Sequence, residues 1–173
     1  MRVRNLLLPV DGFCMSGEIA PLFIRWSLPH WAALGVVALA AGGLLWGCRR
    51  LRMEKRVLIG KALGAVFLLT FLIETFGRIV REHWEPWQDR LPLHFCSLMT
   101  LVCFIALWFR KPWACAVAYF GVLTASVQGL ITPMLHDGFP SAAFFAFFVG
   151  HGLLLISALY LPVVLGSVSY THL

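Results

Sequence analysis

The sequence predicts an all-α fold, a polytopic transmembrane helical bundle, on three observations. The 173 residues are 60% hydrophobic and only 13% charged, where a soluble domain carries about 25% charged residues. The mean hydropathy is +0.84. So little charge cannot coat a water-facing surface, but it suits a chain whose solvent is largely hydrocarbon. The apolar residues also gather into five runs, each near the roughly 20 residues that cross a bilayer as a helix.

The runs lie at about Leu28 to Gly47, Val57 to Val80, Leu91 to Phe109, Trp113 to Leu135 and Ser141 to Leu161. Backbone groups in lipid must be satisfied within each segment, so helix is the state expected of each. The connections are short and hold breakers: Pro86, Pro92, Pro112, Pro133, Gly138 and Pro140. Short connections make successive helices antiparallel neighbours.

The segment 1–27 is expected to be extracytoplasmic and 28–167 to form the bundle. Met15 is a possible true start, which would make residues 1–14 an over-extension. "NLLLPV" is too short for a signal-peptide core. At the other end, 168–173 reads "VSYTHL", the translation of one frame of a common transposase sequencing adaptor. The native chain is therefore expected to continue past Ser167, with at least one more helix.

The net charge of +6 is concentrated in "CRRLRMEKR", between the first two runs. That is a topology signal rather than a nucleic-acid groove, and no nucleic-acid partner is expected. Arg110 and Lys111 make the third connection basic too, whereas acids offset Arg81 and Arg90 in the second and the fourth has no Lys or Arg. The positive-inside rule places the first and third connections of this multi-pass chain in the cytoplasm and the N-terminus outside. Trp84 and Trp87 then suit the outer interface, and Trp46, Trp108 and Trp113 the inner one. The five cysteines form no CxxC pair and read as small apolar packing residues.

Polar residues within spans are costly and usually face the bundle interior. With this topology they converge on the outer half: His30, Glu74, Arg78, His94, Gln128, Thr132 and, about ten residues into the fifth run, His151. At 1.5 Å per residue His151 lies roughly 15 Å down, near the midplane. We take His94 and His151 as candidate catalytic groups, and His30, Glu74, Gln128 and Thr132 as candidate substrate-binding groups. Each has a plainer reading. Glu74 and Arg78 are spaced i,i+4 and can neutralise one another. Gln128 and Thr132 continue a stripe from Gly121 and Ala125 that can serve as helix–helix glue. His30 can anchor the interface beside Trp31, and His94 can bond backbone in the first turn after Pro92. His151, between Gly150 and Gly152 on a face shared with Phe144, Phe147 and Phe148, is the strongest signal. Cys96 is two residues from His94, hence on roughly the opposite side of the helix, and is read as packing.

The stretches "SLPHWAAL", "LPLHFCSL" and "GLITPMLHDGFPSAAFFAFFVGHG", and the spacing between them, resemble the YwaF family of bacterial integral membrane proteins over roughly Phe23 to Leu161. Its eukaryotic relatives, the transmembrane protein 164 group, are membrane-embedded acyltransferases that act on glycerophospholipids with a cysteine and a histidine. The resemblance implies a helical bundle, a pocket and a lipid-sized ligand. His94 matches the family histidine, but Leu93 occupies the slot in which the eukaryotic motif has its cysteine.

Three functions follow as alternatives. The first is a lipid-modifying enzyme, transferring or hydrolysing an acyl group with His94 or His151 as general base for a hydroxyl such as water, Ser97 or Thr132. The second is a metal-dependent membrane hydrolase using His30, His94, His151 and Glu74, though no HExxH motif is present. The third is a non-enzymatic lipid-binding or transport module. Membrane lipid is the expected partner. No P-loop and no GxGxxG after a strand occurs, so no cofactor, metal or oligomeric state is assigned.

Overall fold

The computed structural model describes residues 21–81 and 95–167, apart from the side chains of 74 and 77–81. Five helices run through these residues: α1 (Leu28–Arg49), α2 (Met53–Arg81), α3 (Phe95–Phe109), α4 (Pro112–Ile131) and α5 (Ala142–Val163). The described residues contain no strand, only an isolated bridge between Leu22 and Asp137. α1, α4, α5 and the Met53–Ile73 part of α2 are each long and apolar enough to cross a membrane. The all-α, multi-pass expectation therefore holds. His94, Trp84, Trp87, residues 1–20 and 168–173, and the Glu74 and Arg78 side chains lie outside what is described.

The helix starts follow elementary rules. Proline stands in the first turn of α1 and of α4, where its missing N–H leaves no bond unmade. Ser141 caps α5 by accepting the Phe144 N–H at 3.1 Å. The fourth apolar run does not stay helical to Leu135. α4 stops at Ile131, and Thr132 has φ −126° and ψ 65°, because the ring of Pro133 disfavours helix at the residue before it.

α2 packs chiefly on α3, α3 on α4 and α5, and α4 on α5, whereas α1 joins the bundle mainly along α5. The centre is built from small side chains: Cys103, Ala106, Ala114, Cys115, Ala118 and Ala158 are all fully buried. Small residues let backbones approach, and in lipid such close packing replaces the hydrophobic drive as the source of association. The outside is apolar to match, with Leu39 78%, Leu58 68% and Phe76 70% exposed. In water that surface would be a liability; in hydrocarbon it is the compatible one.

Each end of the bundle is tied by polar contacts. At the basic end, where α1, α3 and α5 finish, the Arg56 guanidinium donates to the carbonyls of Leu51 (2.9 Å), Val164 (3.3 Å) and Arg49. Tyr160 in turn donates its hydroxyl to the Arg56 carbonyl at 2.8 Å. A cation thus satisfies carbonyls that the ends of α1 and α5 leave open. At the opposite end the segment before α1 lies on the loop between α4 and α5, through Phe23 N–H to His136 O (2.8 Å) and Gly138 N–H to Pro21 O. Gly138 is required there, since a Cβ would stand 2.9 Å from two backbone oxygens, those of Pro21 and Leu22.

Candidate functional site

The last turn of α4 is where the described polar residues meet. His30, in the first turn of α1, is fully buried among Phe23, Trp26 and Phe148, whose ring centroids lie 5.3–5.6 Å away. Its Nδ1 accepts the Trp26 N–H at 3.0 Å. Its Nε2 lies 3.0 Å from the Leu130 carbonyl. A backbone N–H can only donate and a carbonyl only accept, so the ring is neutral with its proton on Nε2. Leu130 is one residue from the end of α4, where carbonyls lack helical partners. His30 therefore staples the start of α1 to the end of α4, and neither ring nitrogen is left for a ligand.

His151 approaches the same turn of α4 from α5. The ring stacks on Phe147 at a centroid distance of 4.2 Å, and its Nδ1 lies 3.0 Å from the Phe147 carbonyl. That carbonyl requires the proton on Nδ1, which leaves Nε2 as a basic lone pair. Nε2 has no hydrogen-bond partner among the described residues and is half-buried over Gly129. A Cβ at 129 would stand 3.3 Å from it. Of the two glycines that flank the histidine, Gly152 meets Val37 of α1, while Gly150 faces open space. Phe144 and Phe148, expected on the His151 face, instead pack with Leu130 and Phe23.

One turn from Gly129 on the same face of α4, about 5–6 Å at the Cβ level, is Ser126. It closes a π-helical turn, Val122–Ser126, a widening often found at functional positions. Ser126 is fully buried, and its Oγ has no hydrogen-bond partner among the described residues. The Cys96 thiol of α3 approaches it without closing a bond of ordinary length. Ser126 was not singled out from sequence, because one serine in an apolar run carries no signal until burial and the π turn are seen.

Gln128 and Thr132 occupy the same turn but serve each other. Gln128 donates to Thr132 Oγ1 at 2.9 Å, and Thr132 donates back to the Gln128 carbonyl at 3.0 Å. Gln128 is exposed and Thr132 half-buried. The structure thus brings His30, His151, Gln128 and Thr132 to one turn, where the His151 Nε2 is without a partner among the described residues. His94 and the Glu74 carboxylate lie outside the described residues. Among those described, no three His, Cys, Asp or Glu side chains are grouped to share a metal ion. The four described cysteines are free; Cys48, Cys103 and Cys115 are buried and Cys96 is half-buried.

A family model described as the TMEM164 family matches residues 25–172, a span that holds the five described helices, His30 and His151. No curated protein and no solved structure matches the chain.

Proposed function

Since this chain belongs to the TMEM164 family, we propose that it modifies membrane lipids, with His151 as general base for acyl transfer or hydrolysis. The observation that carries this reading is the His151 ring itself. Its Nδ1 proton is committed to the Phe147 carbonyl, and its Nε2 lone pair, over Gly129, has no partner among the described residues. One turn back along α4 lies the buried Ser126 hydroxyl, which the Cys96 thiol approaches. These are the parts of a base–nucleophile site.

In the proposed reaction Nε2 takes a proton from water or from a hydroxyl or thiol nucleophile. The nucleophile bonds to the ester carbonyl carbon, and the imidazolium returns the proton to the departing glycerol oxygen. The Phe147 carbonyl stabilises the imidazolium through Nδ1–H. The product is a lysolipid, with the acyl group on water or on the acceptor. His94 matches the family histidine in the resembling stretch and is proposed as the second catalytic group, with Glu74 lining the pocket. The chain is placed in the bacterial inner membrane, in the YwaF-like branch, with its N-terminus and the histidine end outside. The basic first and third connections support that orientation.

The test is a lipid profile of membranes from cells expressing the wild type or His151→Ala at matched levels. A change in acyl composition or lysolipid that needs His151 supports the enzyme. Cys96→Ala and Ser126→Ala then separate thiol, hydroxyl and water as nucleophile. Equal profiles from two folded proteins sink acyl chemistry at this site.

A second reading, a lipid-binding module, is favoured by one observation. An apolar groove of about 520 Å³ runs along the α1–α5 seam, from Leu28 and Phe139 to Ala40 and Ile156. Leu28 to Ala40 spans roughly 18 Å of helix, comparable to one leaflet of a hydrocarbon core about 30 Å thick. In this reading His151→Ala leaves lipid composition unchanged, while the purified protein retains phospholipid.

A further inference from the structure

A lysine on the lipid side of the bundle has no use in the histidine site. Lys61 is about two turns into α2, roughly 12 Å from its start, and falls within the apolar window Met53–Ile73. It is exposed on the outside of the bundle. Only two carboxylates have described side chains, Glu54 and Asp137. Glu54 is about 10 Å back along the helix axis, and Asp137 is at the opposite end. A charge at this depth is costly unless its stem carries it toward the interface and a partner.

Geometry shows which way it turns. α2 and α3 approach closely at Gly64, whose notional Cβ stands 3.4 Å from Leu107 Cβ. Beside that contact the Lys61 ammonium lies 5.8 Å from the Trp108 ring centroid, at the edge of cation–π range. Trp108 is itself 40% exposed and lies 5.9 Å from the Phe104 ring. Past it toward the basic end come Arg110 and Lys111, both exposed. Arg56 is committed to carbonyls and Arg50 lies over Trp46 at 3.7 Å. Lys61 has only its longer contact with Trp108, and Arg110 and Lys111 make no side-chain hydrogen bond or ring contact among the described residues.

We propose that Lys61, Trp108 and the Arg110–Lys111 turn form a docking site for the headgroup of an anionic phospholipid from the adjoining leaflet. Charge complementarity carries the choice of occupant. A lipid phosphate at the interface supplies the negative charge that the described protein does not. Its oxygens accept the ammonium N–H groups, while an indole at headgroup level suits the amphipathic boundary. The site is independent of the lipid chemistry proposed at the other end.

The experiment uses the full chain purified in detergent, with phosphatidylglycerol and phosphatidylcholine offered in competition and retained lipid counted by native mass spectrometry. Wild type is expected to retain phosphatidylglycerol preferentially. Lys61→Met keeps an unbranched chain on a lipid-facing surface and is expected to weaken that retention about fivefold, the weight of one lysine near an anionic leaflet. Lys61→Arg is expected to keep it, and so is Arg50→Gln, which alters a cation outside the site. Equal retention of the two lipids, or wild-type retention by Lys61→Met, overturns the proposal. So does an equal loss in Arg50→Gln, which would mean a diffuse field rather than a site.

Discussion

Replacing His30 by Phe isolates what the buried staple contributes. A benzyl ring keeps the volume packed against Phe23, Trp26 and Phe148, but leaves the Trp26 N–H and the Leu130 carbonyl without partners. An orphaned buried group costs about 1–3 kcal/mol. The Trp26 contact is only part-buried, so water recovers some of its share, and the expected loss is roughly 2–4 kcal/mol. Trp26 also has φ 65°, a left-handed conformation that a bulky residue adopts only when held there. The bond to His30 is one of the restraints holding it. His30→Ala removes the ring as well and is expected to cost a further ~1–2 kcal/mol for the cavity. The assay is unfolding in lipid nanodiscs, paired with amide exchange. Exchange should rise around Trp26 and the last turn of α4 and stay unchanged along the α2–α3 contact. Below the unfolding transition, lipid chemistry should persist in His30→Phe, unlike in His151→Ala. A His30→Phe protein as stable as wild type would refute the staple, and so would a loss of protection spread evenly over the bundle.

Three other substitutions test separate contacts. Arg56→Met removes the clamp on three carbonyls and should lower stability by about 1.5–3 kcal/mol, read as a drop in thermal midpoint. Gly138→Ala sets a Cβ against two backbone oxygens that cannot rotate away, and should cost about 1–3 kcal/mol. Its signature is faster proteolysis between Pro21 and Ser27. Ser126→Ala and Ser157→Ala each delete a buried hydroxyl that lacks a partner. Both should hold or raise stability by up to about 1–2 kcal/mol, and lipid chemistry should be unchanged in Ser157→Ala.

The architecture was legible in the sequence because lipid simplifies the problem: a run of about 20 apolar residues has few options other than helix. α1 begins at the predicted Leu28 and ends two residues past the predicted Gly47. The miss at α4 had a visible cause in Pro133, whose effect on Thr132 outweighed the apolar run. The site was legible only in outline. The rule that costly polar groups turn inward had His30 and His151 converge in the same half of the bundle, but could neither put them on one turn of α4 nor tell their roles apart. That difference lies in bonds to carbonyls, one of them 100 residues away, to which hydropathy is blind. Gln128 and Thr132 show the opposite case, a pair near a helix end that satisfies itself and needs no interior. Ser126 was invisible because its burial depends on how α3, α4 and α5 meet.

The clamp at Arg56 and the staple at His30 also set an order of assembly. Both join the first helices made to partners synthesised 100 or more residues later, at Leu130 and Val164. At 5–20 residues per second the ribosome takes roughly 5–20 s to supply them. Throughout that interval α1 and α2 form a hairpin that keeps only its local bonds, with the His30 Nε2 still without the Leu130 carbonyl at one end and the Arg56 Nη1 without the Val164 carbonyl at the other. The end of α4 closes the first of these bonds and the end of α5 the second, so the arrival of Val164 marks the transition from inserted helices to a folded protein. A nascent chain stalled before Leu130 would present the quality-control machinery with both long-range bonds unmade, and one stalled between Leu130 and Val164 with the Arg56 bond alone.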